Sequence, residues 1–120
     1  MKTKMIRQGD VLLMAVAKPP SAEAGQKMKP NRHGLLVLAQ GETSLHEHTV
    51  AETDAELIQM GEAMLLHVLK ENATVRTTHI HTGETLRRHT PQTVGGGYYR
   101  IVRQRELDPK DIQRTRIVRD

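Results

Sequence analysis

An all-β domain, a small barrel or sandwich carrying a short C-terminal helix, is the fold class this sequence predicts. Three observations lead there. Short apolar and β-branched runs recur along the 120 residues. Gly, Pro and Asn punctuate them at turn-like intervals. Near the end, Asp108-Pro109-Lys110-Asp111 has the form of a helix start, with a capping Asp and Pro in the first turn. The length suits a single domain spanning 1–120.

The elements follow in chain order. Residues 4–17 read as a first strand, with Gly9 as a bulge or bend, and Pro19-Pro20 ends it. Residues 18–33, with Pro19, Pro20, Gly25, Pro30 and Asn31, read as a loop. The continuous apolar run 34–39 suits a strand buried on both faces. Gly41-Glu42 makes a turn, and 45–50 is the next strand.

Segment 53–71 carries two readings. Thr53 and Glu56 could form a capping box ahead of good helix formers. Alternatively two strands, 56–60 and 63–70, join at Gly61-Glu62, and the strand-like flanks favour this second reading. Asn72 marks a turn, and 73–81 is rich in β-branched residues. Residues 84–97 read as irregular, with Gly95-Gly96-Gly97 as a hinge or turn. Residues 98–106 form the last strand, placed near the first, and 108–118 the helix.

Composition narrows the chemistry. Phe, Trp and Cys are absent, so Leu, Val, Ile and six Met must fill the core. Without Cys there is no disulfide and no thiolate to bind metal or act as nucleophile. This usage is compatible with a cytoplasmic protein. No apolar run is long enough to span a bilayer, so no membrane partner is expected. Lys2, Lys4 and Arg7 ahead of an apolar stretch imitate a signal peptide, but the stretch is short and Asp10 sits at its edge.

The chemically informative stretch is Leu45-His46-Glu47-His48-Thr49. Alternate side chains of a strand share a face, so His46 and His48 stand about 7 Å apart on one side, with Glu47 on the other. Two imidazoles so placed can converge on one divalent transition metal, with the later His89 as third ligand. Glu42 and Glu52 are candidates for a further ligand or a general base. Exposed histidines on a polar strand face are the competing reading. It also serves His79 and His81, whereas His67 reads as a satisfied buried or half-buried His. The spacing does not choose among Zn, Fe, Mn, Ni and Cu.

A different function class rests on the basic end. The net charge is +4, and Arg100, Arg103, Arg105, Arg114 and Arg116 crowd the last part of the chain. They could contact nucleic acid in a nonenzymatic binding module. Scarce aromatics count against single-strand stacking, and an ion pair of Asp10 with Arg105 is an alternative use of that charge. A homodimer formed through an exposed sheet edge is a third expectation.

Arg7-Gln8-Gly9-Asp10-Val11, Gly41-Glu42 with His46-Glu47-His48, and Tyr99-Arg100-Ile101-Val102-Arg103-Gln104-Arg105-Glu106 together resemble a family of small uncharacterised bacterial proteins. His89 with Pro91 matches that family's later His near a Pro. A weaker similarity is to cupins, through Gly41, His46, His48, Glu52 and Gly61, at different glycine spacings and without the second cupin motif. The cupin similarity implies a cupin-like fold, with His46, His48 and Glu52 as ligands and His89 as the last. The resemblance to the uncharacterised family implies no particular activity.

Overall fold

The computed structural model describes residues 3–19, 22–40, 45–87, 89–103 and 115–118. Nine strands run through them: β1 (Thr3–Gln8), β2 (Val11–Val16), β3 (Gln26–Lys27), β4 (Leu35–Gln40), β5 (His46–Ala51), β6 (Ala55–Met60), β7 (Ala63–His79), β8 (Gln92–Arg103) and β9 (Thr115–Val118). The protein is all-β, as its alternating pattern predicts. Among the described residues there is one 3₁₀ turn, Ala22–Ala24, and no α-helix. None of their helices is long and apolar enough to cross a membrane.

The main sheet runs β3-β6-β7-β8-β2-β1-β9. It is open, and a cupin-like closure is not seen. The long strand β7 organises the rest. Its first half pairs with β6 on one side and β8 on the other. Its register with β8 shifts between Val68 and Asn72, and beyond this bulge β7 also pairs with β5, which pairs with β4. A bulge bends and twists its strand, so β7 passes from the main sheet into a β4–β5 arm. Leu36, Leu38 and Val50 of that arm pack with Ile6, Leu13, Leu57, Leu66, Val75 and Tyr99 in one core cluster. The Tyr99 hydroxyl is satisfied by donating to the Gly95 carbonyl at 2.8 Å.

Several expectations are corrected. Residues 115–118 are a strand, not the end of a helix, and pair in parallel with β1 through Thr3↔Thr115 to Ile6↔Val118. Ile117 and Val118 are β-branched, and an open edge offers backbone partners that a short terminal helix lacks. Residues 108–114 lie outside the described residues, as do 104–106 of the expected last strand. The first strand is two, because Gly9-Asp10 forms a two-residue hairpin loop between Gln8 and Val11. Gly9 has φ +60°, as the first position of a type II′ turn requires.

Asn72 does not turn the chain; β7 absorbs it in the bulge. Gly95–Gly97 are not a hinge but part of β8 opposite that bulge. A Cβ at Gly96 would lie 2.9 Å from the Lys70 carbonyl oxygen, so glycine permits this backbone approach. β4 is not buried on both faces; Leu36 and Leu38 are buried and their neighbours only partly so. For segment 53–71 the strand reading holds, with β6 and β7 joined at Gly61-Glu62. β2 pairs antiparallel with β8, which places the first and last predicted strands together.

Candidate functional site

β5 lies between β4 and β7, hydrogen-bonded to both, so its alternation is rigidly held. His46 and His48 share one face and are 8% and 1% exposed. Glu47 faces the other way and accepts from Gln40 Nε2 at 3.3 Å. The segment after β7 folds back along it. The His79 N–H donates to the Glu84 carbonyl at 2.9 Å, and the Leu86 N–H to the Thr77 carbonyl at 2.7 Å. This return brings the partly exposed His89 over the pair. Ring centroids are 5.8 Å apart for His46–His48, 5.7 Å for His48–His89 and 6.4 Å for His46–His89.

Gln8, at the end of β1, reaches into this cluster. Its Nε2 donates to the carbonyls of Val75 at 2.9 Å and Thr90 at 3.1 Å. Carbonyls only accept, so the amide orientation is fixed and Oε1 faces His48. His48 Nδ1 therefore carries the proton and donates to Gln8 Oε1 at 2.8 Å. The Thr77 hydroxyl donates to the same oxygen at 3.4 Å. His48 Nε2 is left with its lone pair. Burial is the main cause that pushes the His48 pKa down to about 4; the neighbouring His89 and His46 add to it, Asp10 opposes it, and Arg103 adds a little more. At neutral pH His48 is the neutral imidazole, the form that ligates metals.

The Gly9 turn is packed against the same rings. A Cβ at Gly9 would stand 3.0 Å from His89 Nε2 and 3.4 Å from His48 Cε1. Gly9→Ala is expected to lower stability by about 1–2 kcal/mol from its left-handed backbone, measured by urea unfolding, and to push the His89 ring aside.

The other predicted residues separate from this cluster. Glu42 lies outside the described residues. Glu52 stands beside Gly34, four residues and about 13 Å along the strand direction from His48. His79 is opposite His46 in register, but its Nδ1 accepts from the backbone N–H groups of His81 at 3.1 Å and Thr82 at 3.4 Å. It closes the turn that follows β7. His67 is half-buried, stacked on Tyr98 at 4.1 Å and 3.6 Å from a Glu56 carboxylate oxygen.

Arg103 Nη1 donates to Asp10 Oδ2 at 2.8 Å, and its Nη2 to the Gln40 carbonyl. Asp10 thus pairs with Arg103, and the bond ties β8 to the Gly9-Asp10 turn. Arg100 is exposed on β8. Arg105 and Arg114 lie outside the described residues, and of Arg116 only the backbone within β9 is described.

Sequence reasoning missed Gln8 and the role of the Gly9 turn. The one signal was a polar Gln immediately before Gly-Asp, within the motif that carried the family resemblance. Its partners lie 40 to 82 residues away in the chain, beyond the reach of any local pattern.

As they stand, no three or more His, Cys, Asp or Glu among the described residues are spaced to hold a metal ion. No curated protein and no solved structure matches the chain. One family model does, described as a domain of unknown function (DUF8820), over residues 7–104. The match begins within the Arg7-Gln8-Gly9-Asp10-Val11 motif and includes His46, His48 and His89. It bears out the expected uncharacterised family and indicates neither cupin kinship nor a bacterial source. The chain belongs to the DUF8820 family.

Proposed function

We propose that His46, His48 and His89 bind one divalent transition metal ion, and that the domain serves as a metal site with an open coordination position. The observation that carries this reading is the convergence of three imidazoles from two separate segments, one of them buried in its neutral form. A tetrahedral ion about 2.0–2.1 Å from each nitrogen sets ring centroids about 5 Å apart. The rings stand 5.7–6.4 Å apart. They must close by about 1 Å, which small χ1 and χ2 rotations of His46 and His89 supply. His48, held by Gln8, is the fixed point.

Three neutral nitrogen ligands leave room for water or substrate, the arrangement of a metal-dependent enzyme. Arg103, engaged by Asp10 and Gln40, is occupied in holding the fold, which disfavours a phosphate-gripping role for it. The test is elemental analysis of tag-free protein equilibrated with Zn, Fe, Mn, Ni, Cu or Co salts. About one equivalent is expected in the wild type, and none in folded His46→Ala/His48→Ala. Absence of stoichiometric metal from the wild type, or equal metal in both proteins, would overturn the reading.

A further inference from the structure

We infer that Gln8 is the positioning residue of this cluster: one side-chain amide selects the ring nitrogen that His48 presents and tethers the segment carrying His89. What the inference implies for metal affinity rests on the metal reading; the hold of Gln8 on the His48 tautomer and on the segment carrying His89 stands without it.

Gln8 is 2% exposed, and its amide is saturated. A glutamine amide has two N–H donors and two acceptor lone pairs. Both donors are spent on the Val75 and Thr90 carbonyls, and both lone pairs on His48 Nδ1–H and the Thr77 hydroxyl. No atom is free to rotate the amide without stranding a buried polar group. The orientation therefore dictates the His48 tautomer rather than following it. Had the amide been free to flip, either ring nitrogen of His48 could have carried the proton.

The Thr90 carbonyl belongs to the residue after His89. The same amide nitrogen that donates to β7 at Val75 therefore also pins the returning segment. The two histidine-bearing segments are held relative to each other through one residue of β1. This is the arrangement by which a ligand histidine, donating its second N–H to a neutral or anionic oxygen, is held in orientation toward a metal.

A residue that merely filled space at this position would not control a tautomer, so the test reads the tautomer directly. Long-range ¹H–¹⁵N spectra of the histidine rings would be recorded on metal-free wild type, Gln8→Met and Gln8→Glu. Affinity would be read in parallel by titrating Co²⁺ alone and following its visible absorption. In the wild type the His48 proton is expected on Nδ1. Gln8→Met, of similar length and apolar, is expected to lose that single tautomer and bind Co²⁺ about 10–100-fold more weakly. Gln8→Glu restores an acceptor facing His48 and should keep the Nδ1 proton, but its carboxylate cannot donate to the Val75 and Thr90 carbonyls, so its Co²⁺ affinity is expected to stay below the wild type's.

A wild-type His48 protonated on Nε2, or exchanging between tautomers, would overturn the inference even if no variant folded. So would a Gln8→Met protein with unchanged tautomer and affinity. A wild type with the Nδ1 proton but no Co²⁺ binding would remove the metal reading while supporting Gln8's hold on His48.

Discussion

Acidifying the metal-free protein from pH 8 to pH 4 is expected to cost on the order of 3 kcal/mol through His48 alone. The folded His48 has its pKa pushed down to about 4 from an ordinary value of 6.5. The unfolded chain therefore takes up this proton first as pH falls. The stabilisation is fully present above about pH 6.5 and is lost progressively down to about pH 4. Asp54 and Glu56 are held below the usual carboxylate range by Lys70 and Lys27, so they act in the same direction. Their loss falls lower, below their ordinary values of 3.8 and 4.5. The interval between pH 6.5 and 4.5 is thus the place to look for His48. Urea unfolding at half-unit pH steps should show a falling midpoint there, and His48→Gln should flatten it. A flat wild-type profile would mean that His48 is not held neutral. Bound metal would steepen the fall, because protons compete for the same nitrogens.

Leu66→Ala is expected to destabilise the protein by about 2–5 kcal/mol. Leu66 is fully buried and lies in β7 between Leu57 of β6 and Tyr99 of β8. Backbone hydrogen bonds on both sides hold the strand in place, so the cavity cannot close by moving it. The chain has no Phe or Trp to swing into the space. Denaturant unfolding at neutral pH measures the loss. Leu66→Met, close in volume, should cost less than about 1.5 kcal/mol. A Leu66→Ala loss below about 1 kcal/mol would mean that the β4–β5 arm collapses onto the site.

The contrast between His46/His48 and Gln8 shows how far local pattern reaches. H-x-H on a strand is a period-2 feature, legible wherever the strand is legible. That His89 lies over it was anticipated from a later His following a strand pair, and the structure brings the three rings within 6.4 Å. Glu52, a candidate ligand through the cupin similarity, lies just past the far end of β5, because a strand advances about 3.3 Å per residue. Gln8 offered no periodic signal at all.

Local sequence pattern was enough for the all-β class, for Gly61 as a strand boundary, and for the shared face of His46 and His48; the expected turn at Gly41 lies outside the described residues. Each follows from backbone geometry within a few residues: alternation along a strand and the positive φ that Gly61 adopts. Tertiary structure alone decided that Asn72 and Gly95–Gly97 lie within strands, since a bulge on β7 and a close approach of β8 satisfy each other. It alone turned 115–118 into a strand, because the edge of β1 supplied partners that no local propensity could register. It alone placed the Gln8 amide against His48, Thr77, Val75 and Thr90. Hydrogen bonds between residues 40 to 82 positions apart exist only after the sheets have packed, and they decide which nitrogen of His48 remains to do chemistry.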